Sequence, residues 1–454
     1  MNRTRSSYEI DMCNGPILQG VLRFALPLAL SGILQLTFNA ADVIVVGQFA
    51  GQTALAAVGS TGALINLIIN LFAGLSTGVN VLVANYRGAG RDEDASKTVH
   101  TAILTAAFGG LVLVFVGVLL SRPLLELMDS PEDVIDQATL YMRIYFIGMP
   151  AFMVYNFGSA VLRAVGDTKR PLYFLSIAGV VNVALNVVFV IVFHMGVAGV
   201  AIGTAASQVD SAVLIIRCMI KSEGICHLDK DKLYIDPKKF VRMLRIGLPA
   251  GLQGSLFSIS NVLIQSSINS FGSSVMAGNA AAGNIEGFVY TSMNSLYQAN
   301  LSYTSQNYGA RKFKRIDKSL LCCTITVAVI GAVLGNLAYL FGPQLLSLYN
   351  SDPEVIQYGM NRLQIVSSLY FMCGVMEVIS GSMRGLGYAI SPMIVALSGA
   401  CAFRILWIYT IFAWYPTQLV LYISYPISWV LTAVAHFVCY LVARKKKFIT
   451  PQTQ

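Results

Sequence analysis

The chain reads twice over. Leu22-Arg23-Phe24-Ala25-Leu26-Pro27 returns as Leu244-Arg245-Ile246-Gly247-Leu248-Pro249, and Asn85-Tyr86 returns as Asn307-Tyr308, both at a shift of 222 positions (249 − 27 and 307 − 85). The same shift pairs Gly32 with Gly254, Asn39 with Asn261 and Phe49 with Phe271. Further on, Arg163-Ala164-Val165-Gly166 and Pro171 return as Arg384-Gly385-Leu386-Gly387 and Pro392, now 221 positions later (384 − 163), so one residue is lost between the blocks. Ser130-Pro131-Glu132 has a counterpart in Asp352-Pro353-Glu354. Any fold for this chain must therefore be built from two similar halves.

The medium of those halves follows from their polarity. Of 454 residues, 56% are hydrophobic and only 12% charged, too few charges to cover the surface of a water-soluble domain of this size. Apolar stretches long enough to cross a hydrocarbon layer about 30 Å thick recur about twelve times. They fall roughly at 18–48, 54–86, 97–121, 135–164, 171–194, 197–220, 240–271, 276–307, 317–341, 356–386, 392–413 and 418–443. The expected fold is an all-α integral membrane protein of about twelve transmembrane helices. Met1 to Gly15 is polar and the apolar run after it is too long for a signal peptide, so the first helix is expected to serve as its own insertion signal.

Six spans per half is an even number, so both halves enter the membrane from the same side. They are parallel six-helix repeats, related by an axis along the membrane normal. The division expected is an N-terminal lobe over 1–221, a cytoplasmic linker over 222–239 and a C-terminal lobe over 240–454. The polar linker, rich in Lys and Asp, is expected to tolerate change. Basic residues crowd alternate connections: Arg87 and Arg91, Lys169 and Arg170, Lys221 to Arg245, Arg311 to Lys318, and Arg444 to Lys447. The connections around Phe49, Phe193, Phe271 and Ala413 carry none, which places both termini in the cytoplasm. The net charge of +9 is thus spread over one membrane face and is no nucleic-acid patch. Six of the eight cysteines fall in or beside spans without metal-ligand spacing and read as small hydrophobes.

Pro27 and Pro249 fall inside the first span of each half, where a missing N–H and a ring clash bend a helix. Each reads either as a static kink for packing or as a hinge. Ionisable residues within spans cost at least ~2.5 kcal/mol on insertion scales, so each needs a reason. Asp42 stacks with Asn39 and Gln35 on one helical face and suits either a proton or a desolvated Na+. Glu286 and Glu377 suit cationic cargo. Glu377 and Arg404 come out at similar depth, so an internal ion pair is the alternative for Glu377, while Glu286 has no obvious basic partner. Asp210 is either a proton site or bonded to Ser207 and Ser211. His194 and His436 read as interfacial, and Arg163 with Arg384 as symmetric anchors of cytoplasmic turns.

Taken together, Leu26-Pro27, Ala41-Asp42-Val43, Val46-Gly47, Asn85-Tyr86-Arg87-Gly88-Ala89-Gly90-Arg91, Leu162-Arg163-Ala164-Val165-Gly166-Asp167-Thr168 with Pro171, and Arg384-Gly385-Leu386-Gly387 with Pro392 resemble the multidrug and toxic compound extrusion (MATE) family along nearly the whole chain. The resemblance implies a V-shaped pair of six-helix lobes and an antiporter that expels amphipathic, often cationic compounds while admitting Na+ or H+. It also implies a coupling-ion cluster of Asp42, Asn182, Asn186 and Thr204, in which Asn186 stands where relatives carry an Asp. Tyr141 and Asn156 match cavity residues of related proteins; with Gln35, Asn39, Glu286 and Glu377 they make up the expected substrate cavity, and Pro27 and Pro249 remain the candidate hinges. No acid lies between Arg245 and Phe271, where some relatives have a glutamate.

Other classes fit less well. Four scattered histidines give no enzyme constellation, and Gly88-Ala89-Gly90 lacks a P-loop lysine, so neither catalysis nor ATP hydrolysis is expected. A flippase for polyanionic lipid-linked precursors would want a basic route, whereas the midmembrane charges are mostly acidic. No cofactor is expected beyond the coupling cation. Cargo and membrane lipid are the partners expected of a monomer in a prokaryotic plasma membrane.

Overall fold

The computed structural model describes residues 8–128 and 130–449 and is all-helical among them. The first repeat supplies α1 (Ile17–Val45), α2 (Gln52–Ala89), α3 (Asp92–Leu127), α4 (Glu132–Ile147), α5 (Met149–Ala164), α6 (Lys169–Val187) and α7 (Gly196–Lys221). The second supplies α8 (Pro237–Asn269), α9 (Ser273–Gly309), α10 (Phe313–Leu340), α11 (Gly342–Ser347), α12 (Pro353–Arg362), α13 (Phe371–Gly385), α14 (Ile390–Ala396), α15 (Phe403–Trp407) and α16 (Gln418–Ile449). Among the described residues eight helical segments, one of them Ile390–Phe412, which runs through α14 and α15 and their π turns, are long and apolar enough to cross a membrane, and ten if the bent pairs α4–α5 (47°) and α12–α13 (42°) each count as one span. The two remaining long helices, α8 and α9, fall short of that apolarity. In α9 the cause is visible in its buried face, which carries Asn279, Glu286, Asn300, Thr304, Gln306 and Asn307.

The helices resolve into two compact units. One comprises 8–10 and Leu30–Gly247, the other Asp11–Ala29 and the described residues from Leu248 onward. Each unit thus takes the opening turns of the other repeat's first helix. The changeovers, Ala29 to Leu30 and Gly247 to Leu248, lie within three residues of Pro27 and Pro249, both buried inside continuous helices.

Within the first unit, one core gathers Val83, Val99, Phe157, Ile215 and Met219, and another gathers Val46, Leu125, Met142 and Val200. The second unit packs Ile264, Val366, Leu421, Tyr422 and Trp429 together. The duplication is visible in atomic contacts. Gly110 of α3 lies so close to α5 that a Cβ would overlap the Pro150 backbone. Its counterpart Gly331 would place a Cβ 2.8 Å from Phe371 Cα. Both pairs keep the 221 shift (331 − 110, 371 − 150). Gly110→Ala is therefore expected to lower stability by about 1–3 kcal/mol through overpacking, read as a lower thermal midpoint in detergent. An unchanged midpoint would show that α3 and α5 separate freely.

The polar linker is tied to the first unit at several points. Ile225, Cys226 and Leu228 are buried in the first unit's core. The Asp229 backbone N–H donates to His100 Nε2 at 3.0 Å, and the Asp236 N–H donates to Thr101 Oγ1 at 3.1 Å. Lys239 Nζ donates to Asp94 Oδ1 at 2.6 Å and to the Tyr86 hydroxyl at 3.0 Å. Asp236 accepts from the N–H groups of Lys238 and Lys239 at the start of α8. Burial pushes its carboxyl up, but those two bonds and the Lys239 charge outweigh it and hold the group below its ordinary value. In the second unit, the segment before α1 is tied down in the same way: Asn307 Nδ2 and Arg315 Nε both donate to the Met12 carbonyl at 3.0 Å.

Candidate functional site

In the first unit, α1, α6 and α7 bring the four residues of the expected coupling cluster together as two bonded pairs. Asn186 Nδ2 donates to Asp42 Oδ1 at 2.5 Å, and Asn182 Nδ2 donates to Thr204 Oγ1 at 3.4 Å. Asn182 and Asn186 are one helical turn apart on α6, which is why one face can serve both α1 and α7. Two glycines permit the approach. A Cβ at Gly179 would overlap the Phe38 ring of α1, and a Cβ at Gly203 would overlap Asn186 Oδ1. Both asparagines are buried, whereas Asp42 and Thr204 are half-buried.

One acceptor of the cluster is unsatisfied. Asn186 Oδ1 is buried with no donor among the described residues. A buried acceptor left without a partner costs about 1–3 kcal/mol. A cation beside Asp42, or a proton on its carboxyl, would supply what that oxygen lacks. Both helices that carry the pair also wind into a π turn immediately afterwards, at Val46–Ala50 and at Val188–Val192. Such turns redirect backbone carbonyls and recur at functional sites.

Gln35 and Asn39 are exposed on α1. Tyr141 is buried, stacks on Tyr145 at 6.3 Å and lies within electrostatic reach of Asp42. Asn156 is half-buried and donates to the Phe152 carbonyl of its own helix. Asp210 Oδ2 is buried without a partner among the described residues, and the Ser207 and Ser211 hydroxyls donate to backbone carbonyls of α7 instead.

The second unit departs from expectation in its charges. Glu286 does have a basic partner: Arg362 at the end of α12 approaches it through Nη2 at 2.6 Å and Nε at 3.1 Å. Arg362 Nη1 also donates to Asn279 Oδ1 at 2.6 Å, and its guanidinium lies over the rings of Tyr422 and Tyr425. The pair is buried and electrically neutral, which removes the charge that would attract a cation. Nor do Glu377 and Arg404 pair. Glu377 is half-buried in α13 with no ion pair among the described residues, and Arg404 donates to Ser428 Oγ. Arg384 reaches inward to the Tyr297 hydroxyl at 2.5 Å and to Gln253 Oε1 at 2.7 Å, so it ties α13 to α9 and α8 instead of anchoring a turn. His436 is buried and bonded to the Pro392 carbonyl, not interfacial, while His194 sits exposed at a turn with φ +52°.

Two residues with clear roles escaped the sequence reading. Arg362 lies near a span end, where a basic residue passes for interfacial, and His100 receives the linker from within α3. The only signal for Arg362 was that Glu286 required a counter-charge.

The fold and the duplication are shared with known proteins. The MatE family model matches residues 27–188 and 249–410, one block in each repeat. Among curated proteins, the "Probable multidrug resistance protein YoeA" of Bacillus subtilis is 28% identical over 94% of this chain and 94% of its own length. The "Probable multidrug resistance protein YpnP" of the same organism is 28% identical over 85% of this chain and 86% of its own. Among solved structures, a MATE transporter crystallised in complex with MaL6 superposes with a TM-score of 0.92 at 21% identity, covering 98% of this chain and 100% of the other. With both repeats matched and the two-unit helical fold reproduced, the chain belongs to the multidrug and toxic compound extrusion (MATE) family of membrane transporters.

Proposed function

We propose that the chain is a secondary-active antiporter that exports amphipathic, mainly cationic drugs or metabolites in exchange for Na+ or H+. Asp42 is the coupling acid, and Asn182, Asn186 and Thr204 complete its site. The observation that carries this reading is the Asp42–Asn186 pair, with an orphan oxygen beside a carboxylate and a second amide–hydroxyl pair one turn away. A carboxylate, two amides and a hydroxyl supply enough oxygens for a monovalent cation, and a single carboxyl suffices for one proton. The multidrug-resistance names of the matched relatives favour drug-like cargo over a lipid-linked precursor. Pro27 and Pro249, at the points where α1 and α8 pass from one unit to the other, are the hinges of the exchange. The protein acts as a monomer in a prokaryotic plasma membrane with both termini cytoplasmic.

The test is efflux of a fluorescent lipophilic cation from proteoliposomes under an imposed Na+ gradient and, separately, an imposed pH gradient. Either gradient driving efflux supports antiport and names the ion. Efflux that responds to neither refutes cation antiport and favours neutral or lipid-like cargo.

A further inference from the structure

A groove of about 470 Å³ runs between α5 and α7 of the first unit. Its origin lies in how the two helices pack. They meet closely at two buried glycines: a Cβ at Gly148, just before α5, would lie 3.2 Å from Ala205 Cα, and one at Gly158 would lie 2.9 Å from Ile215 Cγ1. Between those contacts the lining comes from Pro150 and Val154 on α5 and from Val209 and Val213 on α7, the last two exposed. Toward the end of α7 the lining changes chemistry, because Arg217 and Lys221 complete it. Positions 217 and 221 are one turn apart, so both cations stand on one helical face. Both are exposed, and neither has an ion pair or hydrogen bond among the described residues.

The matching helix of the second repeat does without those cations. At the shift of 221, the buried Ser211, Ile215 and Met219 fall on Thr432, His436 and Tyr440 of α16, which are buried too, so the two helices bury corresponding faces. Arg217 and Lys221 then fall on Val438 and Val442 (438 − 217 and 442 − 221), both exposed. The fold accepts valine at these positions. The cations are therefore a property of the α5–α7 groove and not of the repeat.

An occupant of this groove must be apolar along most of its length and anionic at one end. Val209 to Lys221 spans 12 residues (221 − 209), about 18 Å of helix, and one leaflet of hydrocarbon is about 15 Å deep. The alternation of basic connections puts the charged end of α7 at the cytoplasmic face, where anionic headgroups attract basic residues. We propose that the groove binds an anionic phospholipid of the cytoplasmic leaflet. Its phosphate is held between Arg217 and Lys221, and one acyl chain lies along Val213, Val209 and Val154 toward Pro150. The guanidinium offers a fork to two phosphate oxygens and the ammonium a point charge. A zwitterionic lipid brings its own cation to the phosphate and gains less. The inference concerns lipid binding at equilibrium and does not rest on antiport.

Native mass spectrometry of the full chain released from a non-ionic detergent tests it, with dioleoyl phosphatidylglycerol and dioleoyl phosphatidylcholine titrated separately so that the acyl chains stay constant. The first lipid bound by the wild type is expected to be about fivefold tighter for phosphatidylglycerol, the discrimination that one basic residue near an anionic headgroup provides. Arg217→Gln/Lys221→Gln should abolish that preference, whereas Lys445→Gln/Lys446→Gln, at the end of α16, should keep it. Val213→Trp fills the groove while leaving both cations, and should weaken phosphatidylglycerol binding by a similar factor. Equal affinity of the wild type for the two lipids overturns the proposal whatever the variants do. So does a preference that survives loss of Arg217 and Lys221, or one that loss of Lys445 and Lys446 removes equally, since general surface charge would then suffice. Unchanged phosphatidylglycerol affinity in Val213→Trp would separate the headgroup from the groove and reject the site. Displacement of the lipid by glycerol 1-phosphate would assign the two cations to a soluble phosphate and reject it as well.

Discussion

Asp42→Asn is expected to abolish gradient-driven export while leaving a folded protein. The substitution keeps size and shape, and the new amide oxygen can still accept from Asn186 Nδ2, the bond that now joins α1 to α6. What it removes is the carboxylate charge that the proposed coupling ion would neutralise. Efflux in proteoliposomes should fall to the leak of protein-free vesicles under either gradient, with an unchanged elution profile in detergent. Conservation of most gradient-driven efflux in the variant would remove Asp42 from the coupling step. Loss of both export and monodisperse protein would show that the carboxylate serves the fold.

The second large effect concerns the Glu286–Arg362 pair. Glu286→Gln leaves the Arg362 guanidinium buried without its carboxylate, and removing one partner of a buried pair typically costs about 3–5 kcal/mol. Arg362→Met leaves Glu286 stranded at a similar cost. The double variant Glu286→Gln/Arg362→Met has no buried charge to strand, and its methionine retains much of the arginine stem's volume. It is expected to recover most of the stability lost by either single change, measured as thermal unfolding in detergent. Single variants that unfold like the wild type but lose cationic cargo selectively would return Glu286 to the cargo site. The pair's Asn279 bond and the two flanking tyrosines argue for the structural outcome.

The duplicated punctuation was legible in the sequence because glycine and proline act where helices touch or bend, and those contacts repeat with the helices. Gly110 on Pro150 and Gly331 on Phe371 are the same contact twice. The proximity of Asp42 to Asn186, Asn182 and Thr204 came from family resemblance, since no spacing rule links α1 to α6 across 144 positions. What escaped the reading has geometric causes. Depth counted along straight helices paired Glu377 with Arg404, but α12 and α13 meet at a 42° bend beside the π turn Leu363–Ser367, and π turns flank Arg404. Each shifts the face that a residue presents. The exchange of helix beginnings between the units is invisible to any division by linear position. The linker's polarity concealed three apolar anchors, Ile225, Cys226 and Leu228, that seat it on the first unit.

Export against an ion gradient has a reciprocal that probes the coupling site alone. Proteoliposomes loaded with a lipophilic cation and diluted into cargo-free buffer, with Na+ and pH equal on both sides, should show cargo efflux driving Na+ or H+ inward, followed with 22Na+ or an internal pH dye. Uphill ion entry that follows cargo exit is expected in the wild type and not in Asp42→Asn. Cargo exit without ion entry in the wild type, or undiminished ion entry in Asp42→Asn, would contradict coupling through Asp42.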